Sequence, residues 1–314
     1  MKVFITGIAG FAGSHLASLA LDEGAEVAGT ILPGAPVTNL TAIRTSVHAI
    51  PCDLTEPGAV AAVLAENRPD RVFHLAGASV VGTSWAQRAD VLRQNLEGTF
   101  QLFEGLRATP APCLLVSSGE LYGAVPEAAQ PITESQPVSP LSPYALSKAC
   151  QEAYAAYYVR AEKLPIAIVR AFNHVGPRQG PGFVWSDIAR QVATIDKGLA
   201  PPVLEVGTLT TRRDFTDVRD MVRAYWLCLE RATPGEVYNA ASGRAIAIRE
   251  VVDGFLARAG HPIEVRVVAE RIRPIDLPLL LGDAGRLRAL TGWKPEIPLE
   301  QSLADVLTDW RSRV

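Results

Sequence analysis

The sequence has little of what builds a metal centre, a disulfide framework or a membrane anchor. Its four cysteines, Cys52, Cys113, Cys150 and Cys228, form no C-x-x-C pair and stand in stretches such as Pro112-Cys113-Leu114-Leu115-Val116. That usage reads as buried, reduced thiols in a cytoplasmic protein. The five histidines are scattered, with no H-E-x-x-H and no Cys/His cluster, so no metal site is expected. No apolar run approaches the roughly 18 residues of a membrane helix, and Met1-Lys2-Val3-Phe4-Ile5-Thr6-Gly7 reads as a strand entering a turn rather than a signal peptide. Charge of one sign is also lacking. A formal net charge of −3 leaves no basic field for a nucleic-acid backbone. What remains, 314 residues of which 48% are hydrophobic and 20% charged, is enough for one large or two ordinary globular domains without staples.

Short apolar runs at 2–6, 26–31, 47–51, 71–76, 112–117 and 165–170 alternate with helical patterns at about 11–22, 55–67, 84–107 and 143–162. Continuous apolar strands between helices predict a parallel sheet covered on both faces, a Rossmann-type doubly wound α/β domain. After Phe172 the pattern changes. Residues 172–213 are rich in Pro, Gly and Arg with one helix near 185–197. A helix at 216–231 and a strand at 236–240 follow, then a tail with helices at 248–259 and 299–312. The expected organisation is a Rossmann domain of residues 1–171 plus 214–243 and a smaller lobe of residues 172–213 plus 244–314.

The first strand runs into Gly7-Ile8-Ala9-Gly10-Phe11-Ala12-Gly13 and then a helix. Residues without a Cβ let backbone approach a phosphate, and the helix N-terminus offers free N–H groups to a pyrophosphate. The loop therefore predicts dinucleotide binding. The second strand ends Gly29-Thr30-Ile31-Leu32, without the acid that holds an NAD ribose, which favours NADP over NAD. Asp53 follows the third strand, where it can accept from an adenine amino group or cap the next helix.

Tyr144 and Lys148 lie at i and i+4 on one face of a helix that begins near Ser142-Pro143. A neighbouring ammonium favours the phenolate, so Tyr144 is expected to have a lowered pKa and to act as an acid/base. Ser118 stands at the end of the strand Cys113-Leu114-Leu115-Val116-Ser117, where open α/β sheets bind ligands.

The glycine loop, Asp53-Leu54, His74-Leu75-Ala76-Gly77, Asn95, Ser118, Tyr144/Lys148 and Tyr238-Asn239 together resemble the extended short-chain dehydrogenase/reductase superfamily, that of the NAD-dependent epimerases and dehydratases. The second half narrows the resemblance. Ala171-Phe172-Asn173-His174-Val175-Gly176-Pro177, Arg213-Asp214-Phe215-Thr216-Asp217, Arg273-Pro274 and Thr291-Gly292-Trp293-Lys294-Pro295 look most like the GDP-6-deoxy-4-keto-D-mannose reductases. They are also similar, less closely, to the GDP-mannose 4,6-dehydratases. Ile275-Asp276 departs from the pattern, which has a small residue and Glu there.

The resemblance implies a reductase of a nucleotide-linked 4-keto-6-deoxyhexose, with Ser118, Tyr144 and Lys148 catalytic and NADP or NAD as cofactor. It implies cofactor contacts from Gly7, Gly10, Phe11, Ala12, Gly13, Thr30, Asp53, Leu54, Leu75, Ala76, Gly77 and Asn95. Ser79, Ser84, Trp85, Ser118, Glu120, Asn173 and Val184 are implied for a GDP-sugar. Arg213, Arg219 and Arg273 are placed to fork onto its diphosphate or to form interdomain ion pairs. Helices 84–107 and 143–162 would pair in a homodimer. Three alternatives stay open: a 4,6-dehydratase using Glu120 as base, a 4-epimerase, and a catalytically idle dinucleotide-binding regulator.

Overall fold

Alternation along β1 (Lys2–Thr6) decides how the molecule layers. Val3 and Ile5 enter one apolar cluster and Phe4 enters another, so both faces of the strand are dry. The computed structural model describes residues 1–79, 84–272 and 276–314. A seven-stranded parallel sheet runs β3 (Val47–Pro51), β2 (Glu26–Ile31), β1, β4 (Arg71–His74), β5 (Cys113–Ser118), β6 (Ile166–Ala171) and β10 (Val237–Ala240). The strand order reverses between β1 and β4, which opens a crevice at the C-terminal edge.

Helices α1 (Phe11–Asp22) and α6 (Val218–Arg231) cover the Val3/Ile5 face through Leu16, Ala20, Met221 and Tyr225. Helices α2 (Ala59–Asn67), α3 (Arg88–Ala108) and α4 (Pro143–Glu162) cover the other through Leu64, Phe103 and Ala155. Helix α4 begins where its sequence signals it: Ser142 Oγ accepts from Ala145 N–H at 3.1 Å, and Pro143 occupies the first turn. Several boundaries differ from expectation, two of them with a clear local cause. Strand β4 stops at His74 because the Leu75 and Ala76 N–H groups turn to Thr6 Oγ1, at 3.2 and 3.1 Å. Helix α2 starts at Ala59 rather than near 55, after Gly58 with φ +76°.

The second region is more stranded than expected. Besides α5 (Val184–Asp196), residues 172–213 contain β7 (Asn173–Val175) and β8 (Val203–Val206), and β9 (Arg212–Asp217) closes the segment. Strand β9 pairs with β7, β11 (Ala245–Ala247) and β13 (Leu279–Leu280). Residues 214–217, expected with the first domain, thus lie in this second sheet. Strand β12 (Glu264–Val267) pairs with β8. Helices α5, α7 (Ile248–Leu256) and α9 (Leu299–Arg313) close over Trp185, Phe215, Phe255 and Leu307. A short α8 (Gly285–Thr291) packs Leu287 back on the central sheet's core. No helix among the described residues is long and apolar enough to cross a membrane.

Candidate active site

The crevice begins at the glycine loop. Gly7 has φ +72°, and a Cβ there would lie 3.0 Å from Ala76 Cα. At Gly13 a Cβ would stand 2.2 Å from the Gly7 carbonyl oxygen, so only glycine lets α1 start this close to the loop. Gly10 precedes α1, whose first N–H groups face the cleft without a side-chain cap. From behind, Thr30 Oγ1 accepts from Gly7 N–H at 3.3 Å. The cleft measures about 490 Å³, and Phe11, Ala12, Leu75, Ala76, Gly77 and Ser79 line it together with the loop. A bare helix N-terminus, a loop with glycine at its three close approaches and a channel of this size fit a nicotinamide dinucleotide.

Ser118, Glu120, Tyr144 and Lys148 line the same cleft. Ser118 ends β5, and its Oγ accepts from Glu120 N–H at 3.2 Å, closing the turn that follows. Lys148 is buried, and its Nζ donates to Val116 O at 2.8 Å and sits 5.9 Å from the Tyr144 ring centre. Burial lowers Lys148 to about 8, against the pull of Glu152. Tyr144 departs from expectation: its pKa is pushed up to about 12, not lowered. Burial dominates, the Ser118 hydroxyl opposes it and the Glu120 charge adds to the rise. Tyr144 therefore holds its proton at neutral pH.

A hydrogen-bond chain supports this group. Thr6 Oγ1 accepts from Leu75 and Ala76, which leaves its proton for His74 Nδ1 at 2.8 Å. His74 Nε2–H then donates to Thr99 Oγ1 at 2.8 Å, and burial lowers the imidazole to about 3, so it is neutral. Thr99 donates to Asn95 O, while Asn95 Nδ2 donates to Ser147 Oγ and Asn95 Oδ1 accepts from Ala78 N–H. Asn95 thus ties the loop after β4 to the first turn of α4.

A second cavity of about 380 Å³ adjoins the cleft, and Asn173 and Gly182 line both. Val184, Arg213, Glu205, Arg271 and Asp276 line its walls. Asn173 Oδ1 is buried and has no hydrogen-bond partner among the described residues.

A family model described as GDP-mannose 4,6 dehydratase matches residues 4–306. The chain belongs to that family. It is 36% identical to the GDP-6-deoxy-D-mannose reductase of Pseudomonas aeruginosa over 319 residues, 100% of this chain and 98% of that one. The structure of RMD from Pseudomonas aeruginosa complexed with NADPH superimposes with a TM-score of 0.84 at 36% identity, covering 100% of this chain and 99% of that one. UDP-glucose 4-epimerase of Thermus thermophilus, solved with NAD, gives 0.88 at 30% identity over 100% of both chains. The fold and superfamily read from the sequence are borne out.

In this family member several expected contacts stand elsewhere. Arg219 is not at the cleft: its Nε and Nη2 reach Asp217 at 2.8 Å each and Nη2 reaches Asp305 at 2.7 Å, so these two nitrogens are spent on carboxylates. Asp53 neither lines the cleft nor caps α2. Its Oδ1 accepts from the Thr55 N–H and hydroxyl in a tight turn. Thr30 and Asn95 act from behind the cleft wall, and Leu54 packs against the core beside α2 and α3. Arg213 is held by Asp276 at 2.7 Å and by the Leu277 and Arg212 carbonyls at 2.6 and 2.9 Å, and it lines the second cavity. Ser84 is buried and Trp85 half-buried, and neither lines the cavities described. Arg273, with Pro274 and Ile275, lies outside the described residues.

Among the lining residues to which the sequence reading assigns no role are His174 and Tyr225. His174 stacks on Phe11 at 5.7 Å between ring centres. Tyr225 sits in α6 with its hydroxyl buried and unpaired among the described residues. Both lie on elements placed by long-range packing; His174 falls inside the Asn173-His174-Val175 motif without a role of its own, and no local pattern marks Tyr225.

Proposed function

We propose that the chain reduces the C4 keto group of GDP-4-keto-6-deoxy-D-mannose to give GDP-D-rhamnose. The observation that carries the reading is a proton-holding Tyr144 beside a buried Lys148, opening on the same cleft as the glycine loop. A nicotinamide dinucleotide bound along that loop supplies the hydride. Tyr144 gives its phenolic proton to the oxygen at C4 as charge develops there. Ser118 donates to the same oxygen and polarises the carbonyl. Lys148 stabilises the phenolate left behind and is placed to bond a ribose hydroxyl. The second cavity takes the nucleotide, with Arg213 and Asn173 facing its phosphates. The identity of the base and the direction of the reaction rest on likeness to the Pseudomonas reductase. NADP is favoured over NAD by the Thr30-Ile31-Leu32 strand end, which has no acid for a ribose diol.

A second reading has one observation behind it. Glu120 lines the cleft and its charge acts on Tyr144, so a carboxylate stands where a dehydratase base is needed.

The protein works as a homodimer in this reading. Along α4, Leu146, Ala153 and Tyr157 are exposed on one stripe while Lys148, Gln151, Ala155 and Tyr158 face inward, and Phe100 of α3 is exposed as well. Its reduced thiols support a cytoplasmic setting.

The test is loss of reduced-nicotinamide absorbance with the keto sugar and NADPH or NADH. Stoichiometric loss is expected, with Tyr144→Phe slowing it by about a hundredfold or more. No loss with this substrate, alongside dehydration of GDP-mannose that needs Glu120, would replace the first reading by the second.

A further inference from the structure

A buried ion pair stands beneath the turn that carries Ser118 and Glu120. Glu152 lies one helical turn past Lys148 on α4, and Arg170 sits on β6 opposite Ser117 of β5. Both are buried. Arg170 grips Glu152 with two arms, Nε to Oε1 at 3.0 Å and Nη2 to Oε2 at 2.7 Å. Ser117 Oγ donates to Glu152 Oε1 at 2.5 Å. The remaining Arg170 arm donates from Nη1 to Tyr122 Oη at 2.9 Å, and Tyr122 donates on to Asn239 Oδ1 at 2.7 Å. The pair thus holds the residue just before Ser118 and, through Tyr122, the far end of the same turn. Lys148 Nζ donates to Val116 O one residue earlier. Successive β5 residues are tied to successive turns of α4.

Packing alone does not call for such a pair, because two charges lose hydration on burial and apolar side chains of like volume fill the space as well. Its position is what needs explaining. Around Lys148 stand Tyr144 and Glu152 from α4 and His74 from β4, with Arg170 from β6 behind Glu152. Glu120 from the turn and Tyr225 from α6 act on Tyr144. His74 is neutral, so Glu152 is the carboxylate that offsets the burial of the Lys148 ammonium.

We propose that Glu152 and Arg170 are positioning residues for the reduction: the pair clamps the Ser118–Glu120 turn against α4, and Glu152 is the charge partner of Lys148. Only the kinetic half of this rests on the reductase reading.

The chain has five lysines, so reductive ¹³C-methylation gives few signals and Lys148→Arg assigns the one that matters. In Glu152→Gln the Lys148 midpoint is expected to fall by about one pH unit while the other four stay in place. In the same variant kcat for the keto sugar is expected to drop about tenfold with KM within about twofold, and its pH profile to move with the lysine. Ser117→Ala keeps the charge and frees the turn. It is expected to lower kcat without moving Lys148. An unmoved Lys148 in Glu152→Gln overturns the charge role, and kcat within about twofold in both variants overturns the clamp. If Glu152→Gln does not fold, Glu152→Asp with Ser117→Ala decides: lowered kcat at constant KM in both supports the clamp, and unchanged kcat in both overturns it. If the wild type reduces no keto sugar, the reductase reading falls while the lysine titration still decides the charge role.

Discussion

The central sheet and the second region solve the same burial problem at different ranges. In the first, strands of four to six residues mostly alternate with helices, and apart from the β1–β4 and β6–β10 pairs each strand lies beside its neighbour in sequence. In the second, strands of two or three residues gather around β9, their paired residues 42 positions before it and 31 or more after. The two halves of the site inherit the difference. The cofactor side is built from backbone: glycines, a bare helix start and strand ends. The second cavity, the proposed sugar-nucleotide side, is lined by long charged side chains, Arg213, Arg271, Glu205 and Asp276, on connections far apart in the chain. Backbone sites are written locally, and side-chain sites are assembled.

The largest effect expected from breaking this contrast is in the second core. Trp185 is fully buried against Phe215 and Phe255, with ring centres 5.4 and 5.7 Å away. Trp185→Ala is expected to cost about 3–5 kcal/mol. Hydrogen exchange read region by region checks where the loss falls. Faster exchange confined to α5, α7 and β9 would show that the central sheet stands on its own packing. Equal loss in β1 and β4 would show one cooperative unit.

That division also explains what the sequence could and could not disclose. The α4 start is legible because Ser142-Pro143 is a local signal, and β1–β3 because their apolar runs are continuous. Strands β7, β8 and β12 are not, since three or four residues in a Pro- and Gly-rich stretch become strands only when a distant partner supplies the hydrogen bonds. Asp53 and Arg219 have the right residue type at a plausible spacing, but nearby partners, Thr55 and Asp217, claim them first. The sign of the Tyr144 shift is not legible in the sequence, because spacing shows the ammonium and hides the burial that outweighs it. Glu152 and Arg170 escape notice for the same reason: 18 residues separate a pair that only the sheet brings together.

The next effect separates the two halves of the site by ligand. Gly13→Ala places a Cβ 2.2 Å from Gly7 O, so the loop must open or α1 must shift. Loss of NADPH affinity by about a hundredfold is expected, with sugar-nucleotide affinity changed little. Arg213→Met should do the reverse, raising KM for the sugar nucleotide about tenfold with NADPH affinity within about twofold. Titration of each ligand by fluorescence or calorimetry checks both. If either variant weakened both ligands equally, the cleft and the second cavity would be one binding unit.

The smallest effect tests the contrast by proton. His74, at the end of β4 in the central sheet, is neutral when folded, with its pKa lowered to about 3 by burial. Its folded pKa is below the unfolded value, so its contribution is present above pH ~6.5 and is lost as pH falls. Asp214, on β9, has its pKa raised to about 6 by burial, which outweighs the bonds it accepts from Ser242, Gly243 and Gly282. Its folded pKa is above the unfolded value, so its contribution is present below pH ~4 and is lost as pH rises through about 6. Between pH 7 and 4.5 the two groups pull stability in opposite directions, each by about 2 kcal/mol. His74→Gln should therefore shrink the stability lost on acidification, and Asp214→Asn should enlarge it. Urea unfolding at the two pH values reads both differences. No change in one variant would mean that its group keeps its unfolded-state titration in the folded protein, and the same sign for both would mean that one of the two shifts runs the other way; either result would end this contrast between the two regions.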